Sequence, residues 1–123
     1  MTAKLRILIV EDNAIAAKVL RNHCLKAGFA VDHATGAKAA LKFLLQKHYR
    51  LILMDLGLAD GDGRTLTQWI REEKNLNQST AIIVISAHMD ETLKHACLAA
   101  GANEVLVKPV SRIILDKLLR DNQ

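Results

Sequence analysis

Five positions in the 123-residue sequence could do chemistry together: the pair Glu11 and Asp12, then Asp55, Ser86 and Lys108. Each stands at the end of an aliphatic run, LRILIV (5–10), RLILM (50–54), AIIVIS (81–86) and EVLV (104–107). If those runs are neighbouring strands, three carboxylates, one hydroxyl and one ammonium converge at one edge of a sheet. Such carboxylates need compensation, because two unit charges about 4 Å apart repel by about 4 kcal/mol at an effective dielectric of 20. The ligand set is oxygen alone, without His or Cys, which favours a hard cation. Few protein carboxylates, with room for water and a phosphoryl oxygen, suit Mg²⁺. Lys108 then supplies a movable point charge for an anion.

Each residue taken alone has a plainer reading. Glu11, Asp12 and Asn13 could cap the helix that follows, and Ser86 could cap a later one. Lys108 could be a solvated side chain, and Pro109 a stop before Ser111. In the loop DLGLADGDG (55–63), Asp60 and Asp62 fit turn geometry, bonding local backbone between glycines. Asp55 fits that account less well, since it lies directly against the apolar run.

The elements that must position these residues are legible from period and punctuation. Continuous aliphatic runs, without alternation, are what strands covered on both faces of a parallel sheet produce, and all four runs are read that way. FAVDHA (29–34) alternates and is expected at a sheet edge. Helical spacing occupies 14–27, 37–48, 64–74, 91–100 and 111–122, with Gly28 and Gly101 as stops and Ser111 as an N-cap. Strand then helix, five times, predicts an α/β fold with right-handed crossovers and helices on both faces. In such sheets ligands bind beyond the carboxyl ends of the strands.

Composition bounds the rest. Length and a 50% hydrophobic content support a single domain over 1–123 with one core. No window is long and apolar enough to cross a bilayer, and the start, MTAKLRILIVED, turns acidic too early for a secretion signal, so a cytoplasmic protein without membrane contact is expected. The formal charge of +4 comes from 17 Lys and Arg scattered singly, with few aromatics for stacking, which argues against nucleic acid as a partner. Cys24 and Cys97 lie on helical apolar spacing and read as small core residues. Trp69, near Leu66 and Ile70 in helical register, reads as core packing.

From LRILIVEDN through LILMD and VISA to VLVKP, the sequence resembles a response-regulator receiver domain over nearly its whole length. VEDNAIAAKVL and DLGLADGDG are most similar to receivers embedded in hybrid sensor histidine kinases, and a chain of that origin would be part of a histidine kinase; a stand-alone receiver stays open. The resemblance implies a doubly wound, flavodoxin-like fold with a five-stranded parallel sheet of order 2-1-3-4-5. It implies that Asp55 is the phosphoacceptor and that Glu11, Asp12, Asp55 and the main-chain carbonyl of Gly57 hold Mg²⁺. Ser86 and Lys108 then bind phosphoryl oxygens, and a cis peptide precedes Pro109. The implied partner is a histidine kinase or histidine phosphotransfer domain, and the domain catalyses its own phosphorylation and dephosphorylation. No oligomeric state follows.

Some positions depart from the family pattern. Val105 replaces a frequent Tyr or Phe, which removes the aromatic half of a serine-and-aromatic switch. Ala59 replaces a frequent proline and Arg50 a common Asp. Gly57 and His88 occupy positions that influence acyl-phosphate lifetime. Val105 keeps a second reading open, a receiver-shaped interaction domain that is not phosphorylated in the cell. An aspartate-nucleophile phosphatase wants a second acid where Gly57 stands. A flavin site wants a phosphate-cradling loop where EDNA stands, and no Walker-type or GxGxxG loop occurs.

Overall fold

The computed structural model describes residues 4–123; residues 1–3, which open the stretch read as lacking a secretion signal, lie outside the described residues. The chain runs through β1 (Arg6–Val10), α1 (Ala14–Lys26), β2 (Ala30–Ala34), α2 (Ala37–Gln46) and β3 (Leu51–Asp55). It continues with β4 (Gly57–Leu58), β5 (Gly61–Asp62), α3 (Gly63–Glu72), β6 (Ala81–Ser86), α4 (Glu91–Ala100), β7 (Glu104–Val107) and α5 (Arg112–Asp121). The main sheet has the order β2-β1-β3-β6-β7. Counting its five strands alone, this is the expected 2-1-3-4-5, and every pairing is parallel. Among the described residues no helix is long and apolar enough to cross a membrane.

Successive strand side chains point to opposite faces, so the aliphatic runs feed two cores. Leu8, Val10, Ile52, Met54, Ile82 and Val84 pack with Ala40, Leu44, Leu66, Ile70 and Cys97 from α2, α3 and α4. On the other face Ile7, Ile9, Leu51, Leu53, Ile83 and Ile85 pack with Cys24 of α1 and Leu115, Leu118 and Leu119 of α5. Both cysteines are buried and free, and burial pushes the Cys24 thiol up to about 12. Trp69 is partly buried against the first core.

The expected stops and caps form. Gly28 and Gly101 have φ of 95° and 117°, a region that favours glycine. Asn13 accepts from the Ala16 N–H at 2.9 Å and Ser111 from the Ile114 N–H at 3.4 Å. Ser86 caps nothing; Asp90 caps α4 by accepting from Leu93 N–H at 2.7 Å.

Two expectations need correction. EVLV is only partly covered: β7 pairs only with β6, Glu104 and Val107 are exposed, and Val105 and Leu106 are half-buried, one against each core. A four-residue edge strand has only one strand neighbour to shield it, however apolar its sequence. β2, read as an edge, is one. The loop after Asp55 is also more ordered than a run of turn residues, because Gly57 pairs with Asp62 and Leu58 with Gly61 in a short antiparallel ladder.

Candidate functional site

Strand register brings the candidate residues to one rim. Val10 lies opposite Met54, Asp55 opposite Ile85, and Ser86 opposite Val107. One residue further along β1 and β3 therefore places Glu11 beside Asp55, and Lys108 directly follows the residue opposite Ser86. The Lys108 amide donates to the Ser86 carbonyl at 2.8 Å, carrying the ladder one step past β7. The peptide between Lys108 and Pro109 is cis, as the resemblance implies.

Glu11, Asp12 and Asp55 each offer one carboxylate oxygen, and these oxygens lie within 4.8 Å of one another. Their environments differ. Glu11 is 2% exposed, Asp55 half-buried and Asp12 open to solvent. Lys108 Nζ donates to Glu11 Oε1 at 2.6 Å and lies 3.5 Å from Asp55 Oδ1. Partial burial pulls the Lys108 ammonium down, but the bond to Glu11 and the charges of Asp55 and Glu11 outweigh it, so its pKa is raised and it stays charged. The plain reading of Lys108 as a solvated side chain therefore fails.

Ser86 is buried, and its hydroxyl donates to the His88 carbonyl at 3.0 Å. His88 itself is exposed. On the far side of β1, His33 Nε2–H donates to the Glu11 carbonyl at 2.7 Å. No local sequence pattern marks this contact between β2 and the residue after β1.

Gly63 closes the loop behind the acceptor position. Its N–H donates to the Leu56 carbonyl at 2.9 Å. A Cβ there would overlap the Asp55 carbonyl oxygen, so only glycine lets α3 start this close to the end of β3. Asp62 caps that helix locally, accepting from Arg64 N–H at 2.8 Å. Asp60 does not behave as a local turn residue. Its carboxylate accepts from Ala37 N–H at 2.7 Å and Lys38 N–H at 3.2 Å, across to α2.

The fold agrees with the comparisons. The response regulator receiver domain family matches residues 7–120, and the chain belongs to that family. It is thereby a phosphoaccepting module of two-component signalling. Over 117 residues it is 37% identical to the autoinducer 2 sensor kinase/phosphatase LuxQ of Vibrio parahaemolyticus, covering 95% of this chain and 13% of that protein. Over 118 residues it is 34% identical to hybrid signal transduction histidine kinase F of Dictyostelium discoideum, covering 94% of this chain and 11% of that protein. The chain thus spans a small part of the length of these relatives. The CheY-like response regulator receiver domain protein of Methanospirillum hungatei superposes with a TM-score of 0.86 at 25% identity, covering 98% of this chain and 97% of that one.

Proposed function

We propose that residues 1–123 form a single receiver domain in which Asp55 takes a phosphoryl group from a phosphohistidine on a histidine kinase or histidine phosphotransfer domain. The observation that carries this is the meeting of three carboxylates within 4.8 Å, with one lysine ammonium reaching two of them. The donor set is all oxygen and rich in negative charge, which fits a hard divalent cation. Glu11, Asp12, Asp55 and the Gly57 carbonyl would hold Mg²⁺. When bound, that ion supplies neutralisation of charge on the phosphoryl oxygens.

The protein's own groups do the rest. A carboxylate oxygen of Asp55 attacks phosphorus in line with the breaking P–N bond; the imidazole of the donor leaves with that electron pair, and Asp55 becomes an acyl phosphate. Lys108, already charged and 3.5 Å from Asp55, swings from Glu11 to a phosphoryl oxygen and steadies the charge there. Ser86, at the rim, gives up the His88 carbonyl to bond another oxygen and draws the loop before α4 with it. Beside Lys108 a groove of about 440 Å³ lined by Ala16, Val19, Leu20, Pro109 and Val110 offers an apolar seat for the donor next to the acceptor.

The same reading places the domain in the cytoplasm, with a protein partner and no nucleic acid, as a module of a hybrid kinase. Complete acid, hydroxyl and lysine positions favour phosphoacceptance over a role in interaction alone. Calorimetric titration with Mg²⁺ tests the site: the wild type binds and Asp12→Ala does not. Unchanged affinity in Asp12→Ala contradicts the assigned ligand set.

A further inference from the structure

β4 and β5 form a hairpin that begins two residues after Asp55, and its tip is tied to a different helix. Asp60, between Leu58 and Gly61, reaches the first turn of α2, where Gly36 is the N-cap and has no side chain to offer the free N–H groups. Asp60 supplies both acceptors instead, to Ala37 and Lys38. Those N–H groups hold its carboxyl below the usual range although it is exposed. A Cβ on Gly36 would come within 2.5 Å of Asp60 Oδ1, and one on Gly61 would sit 3.0 Å from the Ala37 Cβ. Glycine at 36 therefore leaves room for the carboxylate, and the hairpin tip lies closely on the helix start.

At its other end the hairpin is fixed by Gly63 N–H on the Leu56 carbonyl and by the burial of Leu58. Gly57 lies between these anchors, paired with Asp62 and exposed. With the tip released, the Leu56 bond, the buried Leu58 and the short ladder to Asp62 would hold the Gly57 peptide without the tie to α2. A main-chain ligand has no side chain to readjust, so its aim depends wholly on how the loop is held.

We propose that Asp60 is a positioning residue for the phosphotransfer site: its bond to the start of α2 holds the hairpin so that the Gly57 carbonyl faces the cation. This rests on the reading of Gly57 as a ligand. It also makes α2 a structural support of the site.

The test is Mg²⁺ titration by calorimetry, with urea unfolding in parallel, on wild type, Asp60→Ala, Gly36→Ala, the double variant and Asp60→Asn. Asp60→Ala is expected to weaken Mg²⁺ affinity on the order of tenfold. Gly36→Ala, which displaces the same carboxylate, should give a similar loss, and the double variant should be no worse than either single one. Asp60→Asn, still an acceptor at a helix start, should recover most of the affinity. A folded Asp60→Ala protein that binds within twofold of the wild type, or losses that multiply in the double variant, overturns the proposal. Should Asp60→Ala not fold, Gly36→Ala carries the same comparison. A wild type that binds no Mg²⁺ overturns the metal site itself, whereas equal binding by wild type and Asp60→Ala overturns only the role of Asp60.

Discussion

Lys108 Nζ and Glu11 Oε1 meet at 2.6 Å, joining the residue after β7 to the residue after β1 across the rim of the sheet. Glu11 is 2% exposed, so this ammonium is what makes a buried carboxylate tolerable there. The same group lies 3.5 Å from Asp55, which makes it both a structural counter-charge and the cation nearest the acceptor.

Lys108→Met therefore has two expected effects. Without Mg²⁺, unfolding free energy falls by about 3 kcal/mol, because a buried carboxylate loses its partner. Millimolar Mg²⁺ restores part of it, since the cation takes over the compensation, while the rate of phosphoryl uptake stays far below that of the wild type. Urea unfolding with and without Mg²⁺ checks this, and a Lys108→Met protein as stable as wild type in chelator contradicts it.

A second prediction concerns β2. Asp32 accepts from the Tyr49 hydroxyl at 2.7 Å, Arg6 at 3.2 Å and Lys47 at 3.3 Å. Burial pushes its carboxyl up, but the bonds to Tyr49 and Lys47 and the charges of Arg6 and Lys47 outweigh it, and its pKa is lowered. A carboxyl lower in the folded than in the unfolded chain contributes stability above its unfolded pKa, near 4, and that contribution is lost as pH falls through the folded value. Asp32→Asn should cost about 1–2 kcal/mol at pH 7, the worth of losing charge-assisted bonds. The difference should shrink as pH falls below about 4. Urea unfolding across a pH series reads it out, and parallel curves for the two proteins would refute the assignment.

The sequence disclosed the fold wherever burial is two-sided. LRILIV, RLILM and AIIVIS read as central strands because helices cover both of their faces, and they are central. EVLV misled because three consecutive aliphatic residues at an edge look the same as three in the middle. The site was legible because its residues sit directly at strand ends, where register alone converges them. What escaped was every contact made across the chain by a side chain in an unremarkable local setting. Asp60 lies between glycines and reads as a turn, yet its partners are Ala37 and Lys38. Asn77, fully buried, accepts from Tyr49 N–H and donates to the Leu44 and Lys47 carbonyls, and no spacing announces it. Such bonds depend on which loops the fold brings together, which periodicity does not encode.

The central claim is that Asp55 carries the phosphoryl group, and intact mass measures it most directly. Wild type and Asp55→Asn are incubated with Mg²⁺ and a small phosphodonor and weighed. The wild type should gain the mass of one phosphoryl group, and Asp55→Asn should gain none. Equal gain in both proteins would contradict the assignment of Asp55 as the acceptor.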